Sequence, residues 1–193
     1  MPQKVSAATR ERLLAAAERL LLTERYEDVS VRRVCAAAGA NAAAVHYHFG
    51  SKEALVVALL EDRLGALWAD RLAAVTSEPR PIPEIVDAIL EPFTELAADP
   101  VGRLHLRLLA QCVLGRQVGL DLWQQQWFRL DSWSGLLPHV TERDSRRRWM
   151  LAFDLIIMRF GTDAADGRPI TGHAVASLRD FVVAGLTAKE THE

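Results

Sequence analysis

The 193-residue sequence has few cysteines, no long apolar run and no large excess of one charge, and each shortage excludes a class of protein. Its two cysteines, Cys35 and Cys112, are too few for a disulfide framework and form no CxxC pair, which favours a reduced setting. Apolar runs such as residues 54–60 are far shorter than a membrane span, and the first fourteen residues lack the apolar core of a signal peptide. We therefore expect a cytoplasmic protein that does not enter a membrane.

The charge is nearly balanced, and its distribution along the chain is more informative than its total. The formal net charge is −2, made of +2 over residues 1–53 and −4 over residues 54–193. Half of the residues are hydrophobic and a quarter are charged, which is the composition of a folded chain of one or two small domains. A polyanionic partner would therefore bind near the start of the chain.

The periodicity of the apolar residues predicts an all-α fold of about nine helices. No segment shows the alternation of a strand, and glycine and proline fall mainly between the periodic segments. Ser30, Asn41 and Ser51 stand where helix N-caps are expected, and Gly39 and Gly50 stand where helices end. The predicted helices cover residues 9–23, 31–38, 42–49, 52–76, 84–98, 101–119, 121–137, 142–161 and 170–186.

The second and third of these helices form a helix-turn-helix. Gly39 supplies the positive φ that a tight turn needs, and small residues around Cys35 allow two short helices to cross closely. Val45 and Phe49 define the inward side of the third helix, so Tyr47 points outward. The N-terminal turn of such a second helix is the part that enters the major groove of DNA.

Residues 9–55 resemble the DNA-binding domain of the TetR family of bacterial transcriptional regulators. The matching pieces are Thr9–Ala17, Tyr26–Val34, Ala37–Gly39 and Val45–Leu55, the last of which reads VHYHFGSKEAL. The resemblance implies a helix-turn-helix DNA-binding domain over residues 1–52. It also implies a helical domain for ligand binding and dimerisation over residues 53–193.

The resemblance also assigns the DNA-binding residues position by position. Ala42, Ala43, Ala44 and His46 match base-facing positions. Tyr47, His48 and Lys52 match positions that contact the DNA backbone or the flank of the groove. Ser30 and Arg32 match the start of the preceding helix, where phosphate is bound, and Asn41 opens the recognition helix.

Two departures from the family pattern affect this assignment. Arg25 stands where the family usually has glycine, so either the turn is strained or its geometry differs. The three alanines at 42–44 carry only methyl groups, which can pack on thymine methyls but cannot form hydrogen bonds with base edges. We therefore expect DNA shape and His46 to carry more of the specificity than paired hydrogen bonds do.

The second half of the chain carries a candidate effector pocket. Four of the five tryptophans fall within residues 123–149, in the region where this family forms ligand pockets. Trp123 and Trp127 are candidate walls, and Arg107, Gln111 and Asp154 are candidate polar groups on otherwise apolar helices. The same residues are equally well explained as ordinary core.

The apolar stripes of the last two helices are candidates for a dimer interface. The resemblance implies that these helices pair with their counterparts in a second subunit as a four-helix bundle. Because one helix-turn-helix reads few base pairs, a dimer would span two half-sites about one helical turn apart, roughly 34–36 Å. The candidate interface residues are Trp149, Phe153, Ile157, Phe160, Leu178, Val182 and Leu186.

Other chemistries find no support in the sequence. His46 and His48 point to different sides of a helix and have no accompanying Cys/His cluster, so no metal site or cofactor is expected. We find no nucleotide loop, GxSxG or paired-carboxylate pattern, and do not expect an enzyme. Cys35 and Cys112 are expected to be inert core thiols, with thiol sensing as the alternative.

The sequence as a whole predicts a ligand-responsive transcriptional regulator. It would act as a repressor, bind a palindromic operator in double-stranded DNA as a homodimer, and respond to a small-molecule effector. The alternative is a helical adaptor or scaffold that reuses the fold without sequence-specific DNA binding.

Overall fold

Eight α-helices account for most of the described chain. The computed structural model describes residues 2–76, 78–114, 123 and 129–189. The helices are α1 (Pro2–Thr23), α2 (Val31–Ala37), α3 (Ala44–Phe49), α4 (Lys52–Thr76), α5 (Ile82–Ala97), α6 (Pro100–Leu114), α7 (Glu142–Ala165) and α8 (Gly172–Thr187). Short 3-10 turns lie at Tyr26–Asp28, Leu130–Ser132 and Ser134–Leu136.

The helix-turn-helix forms for the local reasons expected from its sequence. The Ser30 hydroxyl caps α2 by accepting the backbone N–H of Arg33 at 3.3 Å. Gly39 has φ +60°, and the following Ala40 N–H donates to the Cys35 carbonyl at 2.9 Å, which closes the end of the helix. Cys35 and Val45 are buried where α2 and α3 cross. These contacts hold α3 at a fixed angle to α2, so α3 cannot rotate to expose a different face.

Arg25 does not strain the turn between α1 and α2. Its φ of −72° and ψ of 152° lie in the extended region, which any residue adopts. The chain leaves α1 through this extended residue and enters the 3-10 turn Tyr26–Asp28, which we call the connecting turn. The turn therefore has a geometry that needs no glycine at Arg25.

Helix α4 joins the helix-turn-helix to the rest of the chain. The Ser51 hydroxyl caps it by accepting the Ala54 N–H at 3.0 Å. Its buried side packs on α1 and α3 near its start and on α5 and α6 further along, so one helix contacts both parts of the protein. The separation into domains at residues 52 and 53 stays a prediction.

The C-terminal helices enclose an aromatic core. The ring centroids of Trp68 and Phe93 are 5.1 Å apart, and those of Phe93 and Phe160 are 5.2 Å apart, which links α4, α5 and α7. Helices α6 and α7 cross closely at Gly161, where an added Cβ would lie 2.3 Å from the Ala110 Cβ. Glycine at this position therefore sets the distance between the two helices.

Several predicted boundaries differ from the structure. Helix α3 begins at Ala44 rather than at residue 42, and its N-cap is Ala43 rather than the predicted Asn41, whose side chain bonds within the preceding turn. Helix α1 begins at Pro2 rather than near Thr9, and α7 continues to Ala165 rather than ending at residue 161. Residues 121, 122 and 124–128 of the predicted helix 121–137 lie outside the described residues, and its last part forms two 3-10 turns instead. There the Ser134 hydroxyl donates to the Asp131 carbonyl at 3.1 Å, and such local bonds compete with an α-helix.

Within the described residues, no helix combines the length and the apolar character needed to cross a lipid bilayer. Within the same residues, no group of three or more His, Cys, Asp and Glu side chains could hold a metal ion.

Candidate nucleic-acid interface

The recognition helix α3 is held by its inward face and its two ends. Val45 is completely buried, and Phe49 is half-buried against the core. The Asn41 carboxamide oxygen accepts the Ala43 N–H at 2.9 Å, so Asn41 orders the turn before α3. Gly50, with φ +84°, ends the helix. The outward face of α3 is therefore presented on a fixed backbone.

The alanines at the start of this segment are not equally exposed. Ala42 and Ala43 are exposed, whereas Ala44 is half-buried and packs against the core. A duplex could therefore approach closest at the first two methyl groups. Ala44 is less accessible than the family resemblance implies.

The aromatic and imidazole side chains of α3 form a continuous outer surface. Tyr47 is 82% exposed, the highest exposure among the large hydrophobic side chains of the described residues. Its ring meets His48 edge-on, with the centroids 5.0 Å apart, and His48 is half-buried. His46 is exposed, and its Nδ1 lies 2.9 Å from the Gly50 carbonyl oxygen. A tyrosine that is exposed to this extent, with only the edge contact to His48, is suited to contact a partner.

Ser30 and Arg32 lie at the start of α2, beside this surface. The Ser30 hydroxyl already caps the helix, and it retains its own proton for a phosphate oxygen. Arg32 is exposed, whereas its neighbour Arg33 forms an ion pair with Glu24. Both side chains are exposed, but only Arg33 is engaged in this ion pair, and the assignment of Arg32 to phosphate stays a prediction.

The Lys52 side chain folds back onto Tyr26 instead of extending toward a phosphate. Its Nζ donates to the Tyr26 carbonyl and lies 4.0 Å from the centroid of the Tyr26 ring. Desolvation lowers the pKa of Lys52, while Glu53 and other nearby carboxylates oppose that change. Lys52 therefore fastens the start of α4 to the connecting turn. Its assignment to DNA binding stays a prediction.

Tyr26 is the centre of this attachment. Its hydroxyl donates to the Glu53 carboxylate at 3.4 Å, and burial raises the pKa of Tyr26 far above its usual value. Hydrogen bonding to its own backbone lowers the pKa of Glu53. The hydroxyl therefore stays protonated and donating, and it ties the connecting turn to α4.

Sequence reasoning missed one basic residue near the interface. The Arg10 guanidinium lies 5.4 Å from the centroid of the Phe49 ring, and its NH1 is 3.7 Å from a carboxylate oxygen of Asp62. Arg10 therefore brings a positive charge from α1 to the end of the recognition helix. Its position one turn before the apolar stripe of α1 gave no indication of this contact.

The structure brings together two of the five candidate pocket residues. Arg107 and Gln111 line a crevice of about 450 Å³ between the end of α1, the connecting turn, α6 and Ala165 at the end of α7. Trp123 is buried and Asp154 is half-buried, and neither lines this crevice. Trp127 lies outside the described residues.

The Arg107 guanidinium donates to the Leu21 carbonyl at 3.3 Å, and the Gln111 amide donates to Glu27 at 3.4 Å. Both residues therefore attach α6 to the end of α1 and the connecting turn.

The residues predicted for the dimer interface are mostly buried inside the subunit. Six of them are buried and one, Phe153, is half-buried, so the stripe we assigned to the interface belongs to the subunit core: Trp149, Phe153, Ile157, Phe160, Leu178, Val182 and Leu186. Other large apolar side chains of the same helices are exposed, namely Met150 (43%), Leu151 (64%), Met158 (49%) and Phe181 (70%). A partner helix could contact these exposed side chains without unfolding the subunit.

Comparison with known proteins agrees with the architecture. Residues 13–59 match the model of the bacterial regulatory proteins of the tetR family, so the helix-turn-helix is that of this family. No curated protein sequence gives a significant match.

Among solved structures, the chain is similar to NalD, the secondary repressor of the MexAB-OprM multidrug efflux pump in Pseudomonas aeruginosa. The identity is 20%, each chain is covered to 94%, and the TM-score is 0.61. A TetR transcriptional regulator from Legionella pneumophila is similar at 22% identity, with 89% of this chain and 94% of that chain covered and a TM-score of 0.54. The fold is therefore a TetR-like fold with an N-terminal helix-turn-helix and a C-terminal helical domain.

Proposed function

We propose that this protein, whose first quarter carries the TetR-family helix-turn-helix, is a transcriptional repressor that binds a palindromic operator as a homodimer. The observation that carries the proposal is the outer surface of α3. Tyr47 is 82% exposed on a short helix whose opposite side, at Val45, is completely buried. A helix fixed in this way presents its exposed face to the major groove. We propose that the protein acts in the cytoplasm, on duplex DNA.

Dimerisation is supported by the exposed apolar side chains of α7 and α8. Leu151 and Met158 are seven residues apart and therefore lie on one face of α7, and Phe181 is exposed on the neighbouring α8. An exposed apolar face of this kind is suited to an isologous contact with the same face of a second copy. Two copies would position two recognition helices for the two halves of a palindrome.

The dimer proposal is tested by placing a charge on this face. Phe181→Asp should give a monomer by light scattering with unchanged helical circular dichroism, because Phe181 is 70% exposed and packs little within its subunit. Leu186→Asp is the comparison on the same helix, and it should lose helical signal because Leu186 is 1% exposed. A Phe181→Asp protein that remains dimeric would exclude this face.

A response to a small effector is supported by the contacts of α6 with α1 and the connecting turn, which lead into the helix-turn-helix. Besides Arg107 and Gln111, the buried His105 of α6 places its Nε2 2.8 Å from the Glu18 carboxylate of α1. A ligand that displaces α6 would therefore pull directly on α1, in addition to acting through the long helix α4. Such a ligand should weaken operator binding, and by linkage the operator should weaken ligand binding by the same factor.

Selection of bound duplexes from a random pool tests DNA recognition. We expect the whole chain to enrich a palindrome, with an affinity that falls steeply as salt increases. Tyr47→Ala should weaken binding to that palindrome by about tenfold. Leu22→Ala removes a side chain that is 39% exposed outside the recognition helix, and should have no effect.

An adaptor that reuses the fold is the second candidate function. The methyl side chains of the exposed Ala42 and Ala43 favour it, because they offer no hydrogen bond to a base. A pool that yields no enriched sequence would support the adaptor and contradict the repressor.

A further inference from the structure

Hydrogen bonds within the protein determine which donors and acceptors the outer surface of α3 offers to DNA. The first of these bonds is made by His46. The Nδ1 of its imidazole lies 2.9 Å from the Gly50 carbonyl oxygen, which can only accept a hydrogen bond. Nδ1 must therefore carry the proton. In the neutral ring the other nitrogen, Nε2, then has a lone pair and no hydrogen. Because His46 is exposed, this lone pair is available to a partner.

Asn41 offers DNA a hydrogen-bond donor, whereas His46 offers an acceptor. Its carboxamide oxygen accepts the Ala43 N–H at 2.9 Å, which also fixes the orientation of the amide group. The amide nitrogen, with two hydrogens, is then the part of this exposed side chain that remains for a partner. The bond from Ala43 uses one of the two lone pairs of this oxygen and fixes the orientation of the amide, which disfavours the two-bond contact with adenine that needs both amide atoms.

These two residues matter because their neighbours have little hydrogen-bonding capacity. Between Asn41 and His46, Ala42 and Ala43 offer only methyl groups, and Ala44 is half-buried. The Tyr47 hydroxyl can both donate and accept, so it does not select between a donor and an acceptor on the DNA. The selection therefore depends on His46 and Asn41.

We propose that His46 accepts a hydrogen bond from the exocyclic amino group of adenine or cytosine, and that Asn41 donates to a base acceptor, guanine O6 or N7 or thymine O4. This inference rests on the proposed function and specifies how the same interface reads sequence. The major groove presents these donors and acceptors in a different pattern for each base pair. The operator half-site therefore carries an amino group opposite His46 and an acceptor opposite Asn41.

Base analogues placed in the selected palindrome test the assignment of His46. Purine replaces each adenine in turn, and 2-pyrimidinone replaces each cytosine, which removes only the amino group. At one position the wild-type protein should bind about tenfold more weakly, because Nε2 loses its donor. The His46→Ala protein should show no loss from that same substitution. His139→Ala, which removes an exposed histidine outside the helix-turn-helix, is the matched control and should behave as wild type.

The assignment of Asn41 has the complementary test. Replacing guanine by 7-deazaguanine removes the N7 acceptor, replacing it by 2-aminopurine removes O6, and 4-deoxythymine analogues remove O4. One of these substitutions should weaken the wild-type protein about tenfold and leave the Asn41→Ala protein unaffected. Because the Asn41 oxygen also orders the turn before α3 by accepting the Ala43 N–H, Asn41→Asp, which keeps that acceptor and loses the amide donor, is measured beside it. Asn41→Asp should lose sensitivity to the analogue while retaining native circular dichroism.

The tautomer of His46 is measurable without DNA. In the ¹⁵N-labelled dimer, the imidazole nitrogen shifts should identify a proton on Nδ1 and none on Nε2, whereas an unconstrained histidine such as His139 should show the usual mixture.

Several outcomes overturn the proposal. Sensitivity to 7-deazaguanine that disappears in His46→Ala would show that His46 donates. A His46→Ala protein that is weakened equally for every analogue would place the imidazole on phosphate, and a proton on Nε2 would remove the premise. A pool that yields no palindrome overturns the proposed function itself, and a palindrome without the predicted analogue pattern overturns only this assignment.

Discussion

Removing the Glu18 carboxylate should destabilise the protein through a buried network that joins three helices. Glu18 on α1 accepts a hydrogen bond from His105 of α6 at 2.8 Å, and lies 3.4 Å from the Arg63 guanidinium of α4. The His105 side chain is only 6% exposed and that of Glu18 is 18% exposed. In Glu18→Ala the imidazole loses its described side-chain partner in a site that water reaches poorly.

The expected magnitude follows from this burial. A buried polar group left without its partner costs about 1–3 kcal/mol, whereas an exposed ion pair contributes at most about 1 kcal/mol. Because Arg63 is partly exposed and keeps its bond to Glu11, most of the loss arises at His105. We therefore expect Glu18→Ala to lower the free energy of unfolding by about 2 kcal/mol.

Chemical unfolding followed by tryptophan fluorescence measures this change, at one protein concentration because the proposed dimerisation would contribute to stability. Glu11→Ala is the matched control. It removes a second carboxylate from the same arginine, at 2.9 Å, but one that is 54% exposed. It should cost less than about 0.5 kcal/mol.

A double-mutant cycle then isolates the pair of Glu18 and His105. The single variants Glu18→Ala and His105→Ala should cost more in sum than the double variant does, by about 1–2 kcal/mol. If Glu18→Ala is no more destabilising than Glu11→Ala, or if the two single changes are additive, then burial does not strengthen this interaction and the reasoning fails.

Three further predictions concern packing and backbone. Burial raises the pKa of Cys112 to about 12, so the thiol should resist Ellman's reagent at pH 8 in the native protein and react after denaturation; labelling in the native state would contradict this. Gly161→Ala should destabilise by about 1–3 kcal/mol because its methyl would overlap Ala110, whereas Gly185→Ala, which meets open space, should not destabilise. Arg25→Gly should destabilise by about 0.5–1 kcal/mol in thermal melts, since the extended backbone there gains nothing from glycine and the unfolded chain gains freedom; a stabilised variant would indicate strain.

The parts of the fold that sequence predicts well are those determined by neighbours in the chain. Ser30 and Ser51 cap their helices as expected, and Gly39 and Gly50 have the positive φ expected of them, because each signal acts over three or four residues. The outward position of Tyr47 follows from the same short period, given Val45 as a fixed inward point.

The parts that sequence could not supply depend on contacts between distant segments. Two apolar faces on α7, one with Trp149 and one with Leu151, have the same period, and only packing shows that the first is core and the second is exposed. The family resemblance assigns Lys52 to the DNA backbone or the flank of the groove, and that assignment stays a prediction. The Tyr26 carbonyl that it contacts is 26 residues away and could not be located from a pattern.

The buried network at His105 also constrains how an effector could act. A ligand that moves α6 while α1 stays in place must break the bond between His105 and Glu18, which we value at about 2 kcal/mol. That cost lies within the usual range of coupling free energies between two sites, about 1–3 kcal/mol. A ligand that moves α6 and α1 together keeps the bond and avoids the cost. The network therefore favours motions in which the helix-turn-helix follows α6, and Glu18→Ala should reduce the effect of an effector on operator affinity more than it reduces operator affinity itself.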